Sequence, residues 1–322
     1  MSGMNPTERV RLGRTGVSVT RLGLGLAPLG GLFEPVGDEQ ARQTVERAWE
    51  LGLRYFDTAP LYGTGLSERR SGTVLAGKPR TEFALSTKVG RLLRGGGADT
   101  QDIWAEPTDV TPVFDFSGDG VLSSYDESLI RLGLDRADIL HLHDPDDHLD
   151  QAVTEALPAL ARLREQGRIG AVSAGMNQAG MLTDLVRTGL LDAVLLAGRY
   201  TLLDQSGGAE LLPLCAERGV AVIAAGVFNS GLLADPRPGA RYDYLPADPA
   251  LLDRALAIRA VCDRHGVPLR AAAIQFPAEH PAVTCVLVGA RTPAEVEDAV
   301  RMAATPIPAA LWTDLRAEEL LA

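Results

Sequence analysis

A carboxylate and a phenol lie close together in one short stretch near the start of the chain. The apolar residues before Asp57 indicate a buried strand, and Tyr62 follows in a turn that contains Pro60 and Gly63. Catalytic groups of α/β enzymes commonly stand at strand ends and on the loops that follow them. We therefore expect Asp57 and Tyr62 to be functional, although a helix cap at Asp57 and a packing role for Tyr62 explain this stretch equally well.

Two later apolar runs also end in ionisable residues. Lys88 ends the run FALSTK, and His143 ends the run DILHLH. The chain has 31 basic residues, and because Lys78 is the only other lysine, a lysine inside a strand pattern is informative. His141 lies two positions before His143 and faces the same side of the strand, one layer deeper. We prefer His143 as the functional histidine because it is nearer the strand end.

These side chains, brought together, would form a site for proton transfer. A free tyrosine titrates near ~10. A lysine ammonium ~4 Å from the phenol, at an effective dielectric of ~20, favours the phenolate by about 4 kcal/mol, or about 3 pKa units. Asp57 would orient Lys88 and cancel part of this effect, and His143 can hydrogen-bond the phenol oxygen. Tyr62 would then exchange protons with a carbonyl or an alcohol, and a redox reaction would require a nicotinamide cofactor because no side chain carries hydride.

Eight short apolar strands alternate with helices along the chain. The strands are predicted over residues 22–26, 53–57, 83–88, 138–143, 169–174, 193–197, 221–225 and 283–288, after a hairpin at 8–20. Strands that are apolar on both faces indicate a parallel sheet covered by helices. Eight such repeats in 322 residues predict one domain, residues 1–322, with the fold of a closed (β/α)8 TIM barrel. All strand ends then point to one face, where Asp57, Lys88 and His143 converge beneath Tyr62.

Two long loops follow strand ends, at residues 89–120 and 228–248. Both would overhang the C-terminal face of the barrel, where loops of this length are usually functional or disordered. The first loop carries Trp104, Phe114 and Phe116. These aromatic residues either form the wall of a substrate pocket or pack together in a small apolar cluster of their own.

Composition argues against several classes of protein. The net charge is -11 and no basic block occurs, so nucleic acid is not an expected partner. No apolar run approaches the ~18 residues that span a membrane, and residues 1–14 lack the apolar core of a signal peptide. We therefore expect a cytoplasmic protein with no membrane association and no obligate protein partner. Its three scattered cysteines indicate buried free thiols, with neither disulfides nor a metal site.

The chain resembles the aldo-keto reductase family along nearly its whole length. The resemblance lies in DTAPLYG (residues 57–63), STKVG (86–90) and HLHDP (141–145), in that order. It implies that Asp57, Tyr62, Lys88 and His143 are a catalytic tetrad in a (β/α)8 barrel that binds NAD or NADP without a Rossmann domain.

Two further segments resemble one branch of this family, the sugar 1-dehydrogenases. They are residues 171–178 and 196–203. The branch includes L-fucose, D-threo-aldose and L-galactose dehydrogenases and pyridoxal 4-dehydrogenase, which oxidise a cyclic hemiacetal to a lactone. The resemblance implies a small sugar or carbonyl substrate, with Tyr62 as the base on the anomeric hydroxyl. The alternatives are an NADPH-dependent aldehyde or ketone reductase of a biosynthetic pathway, a lyase or aldolase with a Schiff base on Lys88, and a nucleotide-binding module without turnover.

The resemblance also places the cofactor across the fifth to eighth strands. The residues that it implies as cofactor contacts are Ser173, Asn177, Gly226, Phe228, Ser230, Gly289, Arg291 and Glu295. Ser173 and Asn177 are candidates for the carboxamide. Ala225 aligns where relatives stack an aromatic ring on the nicotinamide, so either Phe228 substitutes for that ring or the stacking is lost. Residues 226–230 would follow the pyrophosphate.

Cofactor preference depends on the turn after the eighth strand. Arg291 precedes a helix N-terminus, which is a natural anion site, and basic residues here meet the 2′-phosphate of NADP in relatives. Glu295 would repel that phosphate but can accept hydrogen bonds from a free ribose. We therefore expect NAD or dual use, with NAD preferred.

Overall fold

The computed structural model describes residues 3–97, 103–106 and 108–322. Eight parallel strands within these ranges form a closed barrel, which confirms the predicted (β/α)8 fold. We number them β1 (Leu22–Gly25), β2 (Tyr55–Asp57), β3 (Ala84–Val89), β4 (Ile139–His143), β5 (Ala171–Met176), β6 (Ala193–Ala197), β7 (Ala221–Ala225) and β8 (Val283–Gly289). Each strand pairs with its neighbour in the chain, and β8 pairs with β1 to close the barrel.

Helices cover the outside of the barrel. They are Asp38–Glu50, Leu66–Leu75, Gly118–Leu132, Leu157–Glu165, Ala179–Arg187, Leu211–Arg218, Pro249–Arg264, Leu269–Gln275, Pro293–Ala304 and Ala309–Ala317. A short helix, Leu149–Gln151, and a π-helical turn, Ala152–Ala156, lead directly into Leu157–Glu165. The outward-facing strand residues, such as Leu24, Phe56 and Leu85, are buried against these helices. This apolar contact around the whole ring stabilises the barrel.

The N-terminal end of the barrel is closed by a hairpin. Strands Arg9–Arg11 and Ser18–Thr20 pair antiparallel, as the sequence predicts for residues 8–20. Leu12 and Val19 are fully buried and pack with the interior residues Tyr55 and Ile139. The barrel interior at this end is therefore filled with apolar side chains.

Both long loops contain short antiparallel hairpins of their own. Arg91–Gly95 pairs with Val110–Phe114, and Arg241–Tyr242 pairs with Leu245–Pro246. The aromatic residues of the first loop lie in two separate places. The ring of Trp104 lies 6.0 Å from that of Tyr62. Phe114 and Phe116 instead stack on each other at 6.3 Å.

The three cysteines are buried and unpaired, as the sequence predicts. A search of the described residues finds no helix whose length and apolar character would let it cross a membrane.

Candidate active site

Asp57 and Lys88 form a buried ion pair at the C-terminal ends of β2 and β3. Lys88 Nζ donates to Asp57 Oδ2 at 2.6 Å and to the carbonyl oxygen of Thr58 at 2.9 Å. Both charged side chains are only 2% exposed. The hydroxyl of Ser86, which faces Asp57 across the two strands, donates to Asp57 Oδ1 at 2.6 Å. The carboxylate is therefore held from both of its oxygens.

These contacts determine the ionisation of Asp57. Burial alone would raise the pKa of this carboxyl group, but Lys88 and His141 lower it to about 2. Asp57 is consequently ionised at neutral pH and fixes the ammonium of Lys88 in place.

The structure brings Tyr62 and His143 to the same place as this pair. Their rings meet edge to face, with centroids 5.9 Å apart at an angle of 90°. Lys88 Nζ lies 4.7 Å from the centroid of the Tyr62 ring. The structure thus gathers Asp57, Tyr62, Lys88 and His143 into one cluster at the mouth of the barrel, while their catalytic roles stay a prediction.

The expected lowering of the Tyr62 pKa is wrong in sign for this geometry. Burial raises the pKa of Tyr62 well above 10, and the carboxylates of Asp57 and Asp144 raise it further, whereas Arg91 lowers it. The ammonium of Lys88 is paired with Asp57 at 2.6 Å, so its attraction for negative charge on the phenol is too weak to offset the loss of water around it. Tyr62 is therefore a protonated phenol at neutral pH.

His143 is a neutral imidazole for a related reason. Burial lowers the pKa of His143 well below its ordinary value, and the nearby cations of Arg91 and Lys88 lower it further. Its Nδ1 is buried and finds no hydrogen-bond partner among the residues that the structure describes. Because this nitrogen is buried, a substrate oxygen would have to meet the other ring nitrogen, Nε2, which lies 3.7 Å from Asp144 Oδ2.

Arg91 is a residue of this cluster that the sequence did not single out. Its Nη2 donates to Asp144 at 2.6 Å, and its guanidinium carbon lies 4.6 Å from the centre of the Phe114 ring. The Arg91 side chain is 8% exposed and that of Asp144 is 34% exposed, so this is a second, partly buried ion pair beside Tyr62 and His143. The available signal was a cation three residues after Lys88, where the predicted third strand ends.

A cavity of about 630 Å³ begins at Asp57 and Tyr62 and continues across the ends of β6, β7 and β8. This volume is in the ordinary range for small-molecule and cofactor sites. The predicted cofactor residues that line it are Asn177, Gly226, Phe228, Ser230, Gly289, Arg291 and Glu295. Ala225 lines it as well, beside Phe228.

Ser173 is the exception among the predicted cofactor contacts. It is fully buried on β5, and the described residues that line the cavity do not include it. Its hydroxyl is 2.8 Å from His141 Nδ1. The prediction is corrected accordingly, because Ser173 points into the barrel and contacts a histidine.

Two features of the cavity wall fit a dinucleotide cofactor. Gly226 has a φ of +65°, and a Cβ at this position would lie 2.9 Å from the backbone nitrogen of Gly198, so the backbones of these two cavity-lining residues pack together as closely as only glycine allows. Asn229 Oδ1 is buried, faces no hydrogen-bond partner within the described part of the chain, and belongs to a residue of the cavity wall. A cavity wall made of closely packed backbone, with a free acceptor atom on it, suits a polar, extended ligand.

Arg291 is already paired with acidic groups. Its Nη1 lies 2.9 Å from Glu34 Oε2, and its backbone N–H donates to Glu295 Oε2 at 2.6 Å. The backbone N–H of Glu295 in turn donates to Thr292 Oγ1, which caps the helix Pro293–Ala304. The positive charge expected for a 2′-phosphate is thus partly neutralised.

Comparison with known proteins agrees with this geometry. The model of the aldo/keto reductase family matches residues 21–318. D-threo-aldose 1-dehydrogenase from a Pseudomonas species is 45% identical over 315 residues, covering 95% of this chain and 96% of the relative. Pyridoxal 4-dehydrogenase from Microbacterium luteolum is 41% identical, with 99% of each chain covered.

A solved structure agrees as well. The holo form of an aldo-keto reductase from Bacillus halodurans superposes with a TM-score of 0.79 at 26% identity, covering 98% of this chain and 97% of that one. The chain therefore belongs to the aldo/keto reductase family and is an oxidoreductase of the kind that uses NAD(H) or NADP(H).

Proposed function

We propose that the protein is an aldose 1-dehydrogenase that oxidises the cyclic hemiacetal of a sugar to a lactone, with Tyr62 as its acid–base group. The observation that carries the proposal is the buried cluster of Tyr62, Lys88, Asp57 and His143 at one end of the long cavity. The similarity to D-threo-aldose 1-dehydrogenase supports the sugar substrate.

Each residue of the cluster has a distinct proposed role. In oxidation, the phenolate form of Tyr62 takes the proton of the anomeric hydroxyl and becomes the phenol, and the neutral imidazole of His143 orients that hydroxyl. Lys88 stabilises negative charge on the phenol oxygen, and Asp57 holds Lys88 in position through its 2.6 Å contact. When bound, the oxidised nicotinamide supplies the hydride acceptor that protein side chains lack.

The raised pKa of Tyr62 gives the proposal a pH dependence. Oxidation needs the phenolate, so its rate should rise with pH through the alkaline range. Reduction needs the phenol, so its rate should fall over the same range. The sign follows from a Tyr62 pKa that burial raises well above 10.

We further propose that NAD is preferred over NADP. Asn177 would hold the carboxamide, residues 226–230 would follow the pyrophosphate, and Phe228 beside Ala225 would pack on the nicotinamide. Pairing of Arg291 with Glu34 and Glu295 leaves less positive charge for a 2′-phosphate. The preference predicts a higher kcat/KM with NAD than with NADP for the same sugar.

The test is turnover at the nicotinamide absorbance band for a panel of aldoses, with both cofactors. Tyr62→Phe should lower kcat at least ~100-fold, the lower end of what positioned acid–base catalysis contributes, while cofactor binding is retained. Tyr242→Phe is the matched control, because the hydroxyl of Tyr242 lies 3.3 Å from Asp204 and outside the cluster. Equal turnover in Tyr62→Phe and wild type, or no turnover of any aldose, would contradict the proposal.

Pyridoxal, which also forms a cyclic hemiacetal, is the second candidate substrate. The 41% identity to pyridoxal 4-dehydrogenase favours it, as does the Trp104 ring 6.0 Å from Tyr62, which offers an aromatic surface. Including pyridoxal and simple aldehydes in the same assay separates this candidate and the carbonyl reductase from the sugar dehydrogenase.

The remaining alternatives have less support. A Schiff base on Lys88 requires a free amine, whereas this ammonium is held by Asp57 and Thr58. A binding module without turnover has no feature of the cluster in its favour. The cytoplasmic location, the single domain of residues 1–322 and the absence of an obligate protein partner stay predictions.

A further inference from the structure

A second buried histidine faces the Asp57–Lys88 pair from below. His141 is fully buried on β4, opposite Lys88 in the register of β3 and β4. Its Nε2 lies 3.4 Å from Asp57 Oδ1, and its Nδ1 lies 2.8 Å from the hydroxyl of Ser173. The imidazole therefore bridges a hydroxyl on β5 and the carboxylate on β2.

This geometry selects one tautomer of His141. Burial lowers the pKa of His141, so the ring is neutral and carries a single proton. A nitrogen lone pair facing a carboxylate at 3.4 Å would be repelled, so the proton belongs on Nε2. Nδ1 must then accept a hydrogen bond, and the Ser173 hydroxyl is placed at 2.8 Å to donate it.

The contact between His141 and Asp57 is close but not aligned. Within the described residues, His141 Nε2 has no partner that meets hydrogen-bond geometry. Such contacts in unliganded enzymes are often long and tighten only in the complex with substrate. Asp57 Oδ1 also accepts from Ser86 at 2.6 Å, so a hydrogen bond from His141 would be a second one to this oxygen.

We propose that His141 and Ser173 are positioning residues, which fix the Asp57 carboxylate and through it aim Lys88 at Tyr62. The inference rests on the proposed function, because the position of Lys88 affects kcat only if Tyr62 and Lys88 take part in turnover. Asp57 then has a separate restraint on each oxygen, His141 and Ser86 on Oδ1 and Lys88 on Oδ2. The ionisable groups that surround the ring are Asp57, Lys88 and His143.

The first experiment compares His141→Leu with His141→Gln. Leucine removes both polar contacts, and we expect kcat to fall about tenfold with the KM of the cofactor unchanged, which is the effect of losing a hydrogen bond to a charged group. Glutamine can donate to Asp57 and accept from Ser173, so it should keep kcat within about threefold of wild type. Equal kcat in both variants and wild type would overturn the inference.

A double-mutant cycle separates positioning from general packing. In an Asp57→Asn background, His141→Leu should lower the residual kcat by less than about twofold, because the carboxylate that it positions is gone. The same tenfold loss in both backgrounds would mean that His141 acts by filling the core, and would overturn the inference.

A readout that needs no turnover completes the test. The chain has 5 histidines, so the ring nitrogens of His141 can be assigned in 15N-labelled protein by comparison with His141→Gln. We expect an unprotonated Nδ1 and a protonated Nε2 at neutral pH, with Ser173→Ala mixing the two tautomers. A proton on Nδ1 would overturn the inference even in an active enzyme. If the wild type turned over no aldose, the proposed function alone would fail.

Discussion

The chain uses lysine at only two positions, and the two differ completely in environment. Lys88 is buried against Asp57 at 2.6 Å, whereas Lys78 is partly exposed, with Nζ 5.4 Å from the centre of the Trp49 ring. A buried ammonium with a single carboxylate partner is costly to desolvate, and removal of one partner leaves the other charge uncompensated. The two lysines therefore form a natural pair of test and control.

Replacing Lys88 by methionine should affect both stability and activity. We expect Lys88→Met to reduce the free energy of unfolding by about 3–5 kcal/mol, because the Asp57 carboxylate remains buried without its partner. Loss of charge stabilisation beside Tyr62 should also lower kcat at least ~100-fold. Urea denaturation and turnover at saturating substrate measure the two effects. Lys78→Met should change the free energy of unfolding by less than about 0.5 kcal/mol and leave kcat unaltered.

A second substitution separates the two effects of Lys88→Met. Adding Asp57→Asn removes the unpaired charge, so the double variant should be more stable than Lys88→Met while staying inactive. An active double variant would show that the ion pair serves only the stability of the barrel. A Lys88→Met protein that keeps wild-type kcat would lead to the same conclusion.

Strands and loops contributed unequally to what the sequence predicted. The barrel strands are short apolar runs ended by glycine or polar residues, and their C-terminal ends must meet at one face, so the neighbours of Asp57 followed from topology alone. The hairpin Arg91–Gly95 with Val110–Phe114 did not follow, because glycines at its turn and Pro112 inside a strand are signals of irregular structure. Pairing across this loop is a tertiary property.

Side-chain direction and burial explain the errors at the site. Ser173 follows the expected strand pattern, but whether it faces the cavity or the barrel interior depends on strand tilt and register. The sign of the Tyr62 pKa shift depends on how much water the folded protein excludes, which local spacing does not reveal. The sequence therefore predicted which residues lie close together better than it predicted the pKa of Tyr62.

The loop after β7 depends on glycine at one position. Gly226→Ala should raise the KM of the cofactor about tenfold while kcat changes less than about threefold. The new Cβ would lie 2.9 Å from the nitrogen of Gly198 in a left-handed conformation, so this wall of the cavity must shift. Steady-state kinetics with varied cofactor, together with direct titration of cofactor binding, measure the effect.

Gly239→Ala is the control within the same loop. Gly239 also has a positive φ, +82°, but a Cβ there would meet no atom of the described structure within 4 Å. The Gly239→Ala variant therefore introduces backbone strain in the loop but does not displace the cavity wall. If the two variants raised the cofactor KM equally, strain in the loop and not the position of Gly226 would be responsible.

The two ends of the barrel contribute differently, one mainly to stability and the other to the proposed chemistry. Apolar side chains and the hairpin of residues 8–20 fill the N-terminal end. The ion pairs of Asp57 and Arg91 and the cavity lie at the C-terminal end. Substitutions at the two ends should therefore change different quantities, as is general for TIM-barrel enzymes.

Leu12→Ala tests this division directly. Leu12 is fully buried under the barrel, so its truncation should reduce the free energy of unfolding by about 2–5 kcal/mol. Because the cavity lies at the other end, kcat and both KM values should stay within about twofold of wild type wherever the variant is folded. Ile130→Ala, at a side chain 81% exposed, is the control and should leave the stability nearly unchanged. A kinetic change in folded Leu12→Ala would mean that packing at the closed end is transmitted through the strands to Tyr62, and the two ends would not be independent.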